Sequence, residues 1–518
     1  MLAPLRNAKR SRVAVGKSIP APVEGWDAVS PLSSMKPERA IVLDNYFPQP
    51  GYVEIRKGYT AWTTAIGAHP VESLMVYNGV TAASNKMFAV CNGTFYDVTS
   101  SGAASATTVT GTTSNRWRYV NYTTSANVAY LWACSGFDSP KHWNGSVWAT
   151  PAITVVTPSD IINVNVFKKR IWGCLANSLD ACYLPLDSVA GAATKFPLGS
   201  VFNRGGYLVA MATWTFDGGL GPDDYAVFIT SRGQVAIYSG TDPASDFLLK
   251  GVFNLGTPIG YKCFTKVGAD VALISIDGVL PLSKALAVDQ AAAATIAITQ
   301  RINNAMNTAA KNYGSNFGWE LLSYPRGTMA ILNVPIAESV TQYQYVMNTL
   351  TGAWCRFTGW NFNCFAVFND LLYAGGNDGT VKKCDYGAID GSTTIDAQGQ
   401  TAYNYFNDRG FQKRLVEMQP LITTDSDVVP SLGISTDYRD NATIGTPTAA
   451  STSSALYDSA LYDTDLYASE GRASADWTTV SGLGQCASVH FRTSTSSTGQ
   501  VIVQLNGFNI VYERGEFF

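Results

Sequence analysis

The sequence predicts a mainly β protein, and three observations lead to that fold class. The chain has 518 residues, which is too long for one compact core and indicates two or three structural units. Charged residues make up only 14% of it and aromatic residues 12%, a balance that disfavours long helices. Asn-Gly and Asp-Gly pairs recur between short apolar runs, as at the turns of β-hairpins. We therefore predict a β-propeller of about six to eight blades, a C-terminal β-sandwich-like platform domain and one inserted Ala-rich helix.

Residues 1–60 are predicted to form an N-terminal arm and lead-in strands that pack on the platform. The first 17 residues are basic and lack the apolar stretch of a secretory signal. Two alternatives stay open for this arm, contact with a neighbouring subunit and a disordered terminus. Residues 52–57 alternate between two faces and end at Gly58, which is typical of a strand that runs into a turn.

Residues 61–387 predict the propeller. Hairpin turns are expected at residues 92, 144, 232, 277 and 378, and their spacing is one or two multiples of roughly 45–50 residues, the length of a propeller blade. Two further units are expected near 170–184 and 328–358, so that seven blades is the middle estimate. A pair of β-sandwiches or a β-helix is the alternative, because hairpin turns alone do not define a ring.

One helix is predicted inside the propeller, at about 285–312. This Ala-rich segment places Ile298, Ile302 and Met306 on one stripe, and Gly314 lies just beyond its expected end. Such a stripe is typical of a packing face, and we assign it no chemistry.

Residues 388–518 predict the platform, a small β-sandwich. A Thr-, Ser- and Ala-rich stretch at about 441–455 is expected to be a mobile loop, because it cannot bury a core. Leu-Tyr then repeats with a period of five over 456–470, and strands are expected at 485–493 and 500–513.

No catalytic, metal-binding or cofactor-binding residue is predicted, and the chain is not expected to be an enzyme. His69, His142 and His490 lie in three separate segments without the spacing of a zinc site. A catalytic triad with His142 or His490 would lack a Gly-x-Ser-x-Gly elbow. Asp223 and Asp224 follow a proline in a turn-like segment without an identifiable catalytic partner.

Two short motifs match known ligand sites only by chance. Gly16-Lys17-Ser18 resembles the end of a P-loop, but Ser11 stands where its first glycine is needed. The acidic residues of 463–470 do not have the ligand spacing of an EF-hand.

The content of cysteine, charged residues and tryptophan limits the classes of function that the chain can have. The nine cysteines include no CxxC pair and are expected to be small buried hydrophobes in a protein made in a reducing compartment. A net charge of −3 disfavours sequence-specific DNA binding, and no apolar stretch is long enough to predict a membrane span. The five tryptophans between 117 and 172 are expected to form blade core, with sugar stacking as the alternative.

Several stretches resemble the tail nozzle proteins of short-tailed bacteriophages (podoviruses), also called tail hub or packaged-DNA stabilisation proteins. The stretches sample nearly the whole chain and are Gly25-Trp26-Asp27, Met35 to Pro48, Arg56 to Tyr59, Gly318-Trp319 to Pro335, Tyr345 to Asn348 with Thr351 to Trp354, the repeat at 456–467, and Phe491 with Gly507 to Gly515. Each stretch is loose on its own, and their order along the chain is the stronger evidence.

The resemblance implies a structural component of the virion tail, assembled in the bacterial host cytoplasm. It implies a homo-hexameric tube below the head-to-tail adaptor ring that retains the packaged genome and conducts double-stranded DNA during ejection without sequence-specific binding. Tail fibres or spikes are its further partners. The propeller is expected to face outward or distally, and 388–518 to pack around the ring and meet the adaptor. The loop at 441–455 and the Ala-rich helix depart from the family.

Low charge fits this expectation on physical grounds. Six copies of a chain with a net charge of −3 carry about −18 in total, and a negative lining repels duplex DNA and lets it slide. The alternative function is a carbohydrate-binding or carbohydrate-cleaving propeller that acts in host receptor recognition. A trimeric tailspike ranks last, because its β-helix repeats would be about half as long as the spacing found here.

Overall fold

The protein folds into two compact units in the computed structural model. The model describes residues 14–217, 222–268, 270–425, 429–439, 442, 444–445, 447, 449–450, 472–474, 476–497, 499 and 501–517. Unit 1 comprises Met1–Gly58, Met347–Phe357 and Gly387–Phe518, and unit 2 comprises Tyr59–Val346 and Thr358–Tyr386. Most of the predicted arm, most of the predicted loop at 441–455 and the whole repeat at 456–470 lie outside the described residues.

Unit 2 is a seven-bladed β-propeller, within the predicted range of six to eight blades. Its blades are, in order, blade 1 (Ser73–Tyr77, Lys86–Cys91, Thr94–Asp97, Ser105–Ala106), blade 2 (Arg118–Thr123, Ala129–Cys134, Lys141–Trp143, Trp148–Ala149), blade 3 (Ile161–Phe167, Arg170–Leu175, Asp180–Tyr183, Thr194–Pro197), blade 4 (Leu208–Asp217, Pro222–Thr230, Gln234–Ser239, Leu248–Asn254), blade 5 (Phe264–Val267, Asp270–Ser275, Gly278–Pro281), blade 6 (Glu320–Tyr324, Met329–Ala337, Thr341–Asn348) and blade 7 (Phe362–Phe368, Leu371–Gly376, Val381–Cys384, Tyr59–Ala61). Strands Ile153–Thr154 and Gly191–Ala192 form a separate parallel pair.

The ring closes through both ends of the propeller sequence. Tyr59–Ala61, the first strand of unit 2, pairs with Val381–Cys384 and completes blade 7. The first strand of each blade contacts the next blade around the ring, and Phe362–Phe368 of blade 7 contacts Ser73–Tyr77 of blade 1. A closed ring protects its inner strands from the edge-to-edge pairing that open sheets invite.

Blade strands are apolar on both faces because each blade is covered by two neighbours. In Lys86–Cys91, Met87 and Ala89 pack toward blade 7, whereas Phe88 and Val90 pack toward blade 2. Continuous apolar runs are expected of strands that are buried on both sides. The predicted role of the tryptophans as blade core is confirmed for Trp117, Trp132, Trp148 and Trp172, which are buried, while Trp143 is half-buried.

Asn-Gly and Asp-Gly pairs favour type I′ turns, and the hairpin between the second and third strands of blade 1 has this geometry, whereas at 144, 232, 277 and 378 only the following glycine has a positive φ. Asn92 and Gly93 both have positive φ angles, 48° and 70°, as a type I′ turn requires. Side chains other than Gly, Asn and Asp adopt this region at a cost, which explains the choice of residues.

The prediction of one helix at 285–312 is wrong. The helices there are Leu282–Ala285, Ala293–Ile296 and Asn303–Tyr313, with 3₁₀ turns at Gln290–Ala292 and Gln300–Ile302 (three further turns are Ala82–Ser84, Pro158–Asp160 and Pro325–Gly327). Between them the chain becomes extended, because the Ile298 N–H donates to the Val279 carbonyl at 2.8 Å and the Val279 N–H donates to Thr299 Oγ1 at 3.1 Å. These bonds satisfy the outer edge of the three-stranded blade 5, and pairing there outweighs helix propensity.

Unit 1 is a β-sandwich of two sheets. The first sheet contains Ala14–Pro20, Tyr46–Gln49, Tyr52–Ile55, Phe411–Thr424, Arg472–Ser474, Thr478–Gly484 and Val503–Phe517; the second contains Gly25–Trp26, Arg39–Asp44, Trp354–Phe357, Ile389–Asp390, Thr393–Thr401, Ser431–Thr436, Ala449–Ala450 and Ala487–Thr495. Phe491 lies between the sheets, with ring centroids 5.0 Å from Tyr46 and 5.4 Å from Phe508.

The observed division differs from the predicted boundaries at one segment. The prediction placed all of 61–387 in the propeller, whereas 347–357 belongs to unit 1. Strand Thr341–Asn348 leaves blade 6, and Trp354–Phe357 then pairs beside Gly25–Trp26. The chain thus passes through the sandwich once between blades 6 and 7. None of the helices in the described part of the chain has the length and apolar character needed to cross a bilayer.

All nine cysteines are buried free thiols, which confirms the prediction that they are small buried hydrophobes. Burial raises the pKa of Cys134 and of Cys182 to about 12. We therefore expect almost no reaction with a thiol reagent at pH 8 in the native protein and nine equivalents in guanidinium chloride, because only the thiolate reacts. Absorbance from a disulfide-exchange reagent measures both values, and rapid labelling of two or more native thiols would contradict the burial.

Candidate functional site

Several of the stretches that carry the sequence resemblance meet in unit 1, whereas Gly318-Trp319 to Pro335 lies in unit 2. Gly25 pairs with Trp354 although the two residues are far apart in the chain. Gly25 has a φ of +80°, and a Cβ on it would lie 2.5 Å from the Trp354 carbonyl oxygen. Only glycine fits this close approach in this backbone conformation. The glycine of the Gly25-Trp26-Asp27 motif is therefore a packing requirement.

The segment 347–357 is fixed to the lead-in by polar contacts. The Asn348 side-chain amide donates to the Pro48 carbonyl at 2.9 Å. Arg356 binds Asp44 through two hydrogen bonds of 2.8 and 2.7 Å, and its carbonyl accepts the Asn45 N–H at 2.8 Å. These bonds hold residues of the Tyr46-Phe47-Pro48 region against the region that ends in Trp354.

Asp27 anchors the loop that follows Trp26. Its carboxylate accepts the Val29 and Ser30 N–H groups and binds Arg39 at 2.7 Å. Burial alone would raise the pKa of Asp27, but these bonds outweigh burial and lower it. The carboxylate is therefore held in its charged form as part of the structure.

A buried ion pair joins the lead-in to the strand Ile389–Asp390. Arg56 donates to both carboxylate oxygens of Asp390, at 2.9 and 2.6 Å, and its Nε donates to Asn45 Oδ1 at 2.8 Å. The Arg56 side chain is 1% exposed. The guanidinium also lies 5.5 Å from the ring centroid of Phe357.

Unit 2 contains two cavities along the propeller axis, at opposite sides of one residue layer. The first, here called the mouth pocket, has a volume of about 540 Å³ and is lined by loops and strand ends of blades 2–6. The second, here called the axial cavity, has about 440 Å³ and is lined by the inner strands of blades 2, 3, 5, 6 and 7. Arg118 and Tyr261 line both cavities.

Arg118 closes the axis between the two cavities. It comes from blade 2, and its guanidinium donates to the carbonyls of Ile162 and Val209 at 3.0 Å each and to that of Tyr261, which lie in blades 3 and 4 and before blade 5. It also lies 3.9 Å from the centroid of the Tyr261 ring. One buried cation therefore joins four consecutive segments of the ring.

The axial cavity contains an ion pair between neighbouring blades. Lys262 donates to Glu320 Oε1 at 2.6 Å, and Glu320 Oε2 accepts the Phe365 N–H at 3.1 Å. Burial would lower the pKa of Lys262, but the Glu320 carboxylate outweighs it and raises the pKa. Lys262 is thus held in its charged form and bound to Glu320.

Carboxylates behind the mouth pocket are also paired. Arg116 Nε donates to Glu72 at 3.0 Å, and its Nη2 donates to Glu338 at 2.5 Å. Burial opposes ionisation of Glu338, yet the Phe317 N–H and Arg116 lower its pKa. Glu338 therefore lacks the raised pKa that a general acid needs at neutral pH, and Glu72 is bound to the same guanidinium.

The candidate residues from the sequence do not converge. His69 is exposed, His142 lies in blade 2, and His490 in unit 1 contacts Ser435 Oγ at 2.8 Å. Ser435 is fully buried, so this pair does not present a nucleophile to solvent. Within the ranges that the structure describes, no three His, Cys, Asp or Glu side chains group as a metal site requires.

Two motif segments have structures that differ from a ligand loop. Gly16-Lys17-Ser18 is part of the extended strand Ala14–Pro20 paired with Val503–Phe517, not of a loop before a helix. Asp224 lies in a strand, where a turn was predicted, and binds Lys168 at 2.8 Å and Thr215 at 2.9 Å. The side chain of Asp223 and residues 463–470 lie outside the description.

Arg116, Arg118 and Tyr261 were missed by reasoning from the sequence. An Arg-x-Arg pair at the start of an apolar strand is unusual in a chain with 14% charged residues, and it was the available signal. No comparable signal pointed to Tyr261, because its role depends on a contact with Arg118, which lies more than 140 positions away in the chain.

Burial lowers the pKa of His142, so its protonation is coupled to unfolding. Below the ordinary value of 6.5, the unfolded chain binds this proton more readily, and the stability of the protein falls as pH drops. We expect His142→Gln to lose less stability than the wild type between pH 7.5 and 5.5, as measured by urea denaturation. His69→Gln, which replaces an exposed histidine, is the control. Equal losses in all three proteins would contradict the expectation.

No protein-family model matches the chain, and no curated protein matches it. Similar solved structures include the computationally designed Ika8 protein, with 10% identity, 63% of this chain and 99% of that chain covered, and a TM-score of 0.36. BBS1N in complex with ARL6DN has 12% identity, coverage of 64% and 98%, and a TM-score of 0.39. Chaetomium thermophilum Raptor has 9% identity, coverage of 65% and 29%, and a TM-score of 0.38. Likeness at this level carries no inference about function.

Proposed function

We propose that the chain is a subunit of the nozzle of a short phage tail. Six copies form a ring below the head-to-tail adaptor, retain the packaged genome, and conduct DNA without sequence-specific binding when it is ejected. Tail fibres or spikes attach to the same assembly. The protein acts as a structural component of the virion and not as an enzyme.

One observation carries the proposal. Several motif stretches that lie some 300 to 445 residues apart, and that resemble nozzle proteins only loosely one by one, contact one another in unit 1, while the stretch from Gly318 to Pro335 lies in unit 2. Gly25 packs on Trp354, Asn348 binds Pro48, and Phe491 lies between Tyr46 and Phe508. Chance similarity would scatter such residues over the fold. Their convergence supports a shared architecture for the sandwich.

The closed propeller axis supports a channel between subunits. Arg118 reaches from blade 2 to the carbonyls of Ile162, Val209 and Tyr261, so its side chain obstructs the passage of duplex DNA through the propeller of one chain. A conduit built from this chain must therefore enclose its channel between copies, which a closed cyclic ring does.

Paired charges at the propeller mouth favour a structural role over a glycosidase. A retaining or inverting glycosidase needs two carboxyl groups facing the substrate, one of them with a raised pKa. Glu72 and Glu338 are both bound to Arg116, and Glu320 is bound to Lys262. These carboxylates are committed to ion pairs.

A nonsense mutation in the gene, in the phage that encodes the chain, tests the proposal. We expect heads that package DNA but lose it, measured as nuclease-resistant genomes per capsid, and rescue by the wild-type chain from a plasmid. Particles that keep their DNA but fail to adsorb would overturn the nozzle function and favour receptor recognition.

A further inference from the structure

The mouth pocket has no role in the proposed nozzle function. Its volume of about 540 Å³ falls within the range of roughly 300–1,000 Å³ that is typical of small-molecule sites. Arg118 and Tyr261 lie at its inner end, where they also line the axial cavity.

Aromatic side chains are exposed at its rim. Phe137 is 68% exposed and Tyr207 is 43% exposed, although burial of either ring would be favourable. Phe317 forms a third aromatic wall, with the Arg116 guanidinium 4.0 Å from its ring centroid. Exposed rings around a concave site are typical of ligand-binding surfaces.

Uncharged polar groups stand among these rings. Asn177 and Ser315 are exposed in the lining, whereas the half-buried Asn316 donates its side-chain N–H groups to the carbonyls of Pro335 and Ile336. Amide and hydroxyl groups both donate and accept hydrogen bonds, and this suits a ligand that carries many hydroxyls.

Much of the positive charge at the pocket is already bound. Arg116 pairs with Glu72 and Glu338, and both Nη atoms of Arg118 donate to backbone carbonyls, while its Nε has no hydrogen-bond partner. A ligand with flat apolar faces and uncharged hydroxyl groups fits the pocket better than a phosphate or a carboxylate.

We propose that the mouth pocket binds one or two neutral sugar residues of a surface polysaccharide. The pyranose faces stack on Tyr207 and Phe137, and the sugar hydroxyls bind the polar groups between them. The site binds without cleaving, since the carboxylates behind it are paired. This proposal is independent of the nozzle function, because the isolated chain can be tested.

Binding of the purified full chain to a microarray of bacterial surface polysaccharides tests the site, followed by calorimetric titration with the oligosaccharide repeat of the strongest neutral glycan. We expect Tyr207→Ala and Phe137→Ala each to weaken binding at least tenfold. Tyr386→Ala removes a tyrosine of similar exposure (46%) outside the pocket and is the matched control, expected to bind as the wild type does.

Thermal melting checks that the rim variants fold, which their exposure predicts. Absence of binding to every neutral glycan on the array would overturn the proposal. Binding that survives both rim substitutions would overturn it as well, because the sugar would then sit elsewhere. Neither result bears on genome retention, which the nonsense mutant tests separately.

Discussion

Replacing Asp390 by alanine is expected to destabilise unit 1 by about 3–5 kcal/mol, because the buried Arg56 guanidinium would lose the carboxylate that it binds through two hydrogen bonds of 2.9 and 2.6 Å. The Arg56 side chain is 1% exposed, so water cannot replace the lost partner. The expected loss of stability is large because the positive charge of Arg56 would remain buried after the Asp390 carboxylate is removed. The midpoint of guanidinium denaturation, followed by tryptophan fluorescence, measures it.

Arg414→Gln is the control for this experiment. The Arg414 side chain is 63% exposed and pairs with Glu513 at 3.5 Å, so loss of this pair should cost no more than about 1 kcal/mol. A cost of less than about 1 kcal/mol for Asp390→Ala would show that Arg56 reaches solvent or another anion, and would contradict the buried pair.

Replacing Arg118 by methionine is expected to be the most damaging change in the propeller. Methionine fills similar space but leaves the carbonyls of Ile162, Val209 and Tyr261 without their donor. Each buried acceptor left unsatisfied costs roughly 1–3 kcal/mol, so we expect a loss of at least about 3 kcal/mol. Thermal unfolding followed by circular dichroism measures the change.

Arg232→Met is the matched control, since Arg232 is exposed in a turn of blade 4 and should tolerate the change within about 0.5 kcal/mol. Equal melting temperatures for the two variants would mean that the axial layer does not hold the ring together. It would also remove the physical ground for a closed propeller axis.

Local chemistry was enough to predict the blades. The turn residues at 92, 144, 232, 277 and 378 mark blades 1, 2, 4, 5 and 7, and the units expected near 170–184 and 328–358 correspond to blades 3 and 6. A hairpin turn is specified by its own residues, so the sequence reveals it directly. Closure by Tyr59–Ala61 was not predicted, because it pairs strands some 320 residues apart.

Two predictions from the sequence failed because contacts between residues far apart in the chain outweighed local preferences. The Ala-rich segment at 285–312 has a high helix propensity. However, the backbone of Val279, at the outer edge of blade 5, forms hydrogen bonds with residues 298 and 299 and keeps them extended. Similarly, 347–357 reads as another blade strand, yet its Asn348 and Trp354 contacts place it in the sandwich. Intrinsic helix or strand propensity is a weak guide to secondary structure where tertiary contacts determine it.

The site residues were hidden for a related reason. Arg116 and Arg118 gain their roles from carboxylates and carbonyls that come from other blades, and no spacing rule connects those residues in the chain. The exposed rings of Phe137 and Tyr207 likewise form one rim only after the ring closes.

Cryo-electron microscopy of the intact particle that contains the chain tests the central claim most directly. We expect six copies around the tail axis below the adaptor, with a seven-bladed propeller in each and a channel wide enough for duplex DNA enclosed between them. Three copies at the periphery of the tail, or DNA-filled particles that lack the chain, would contradict the nozzle function.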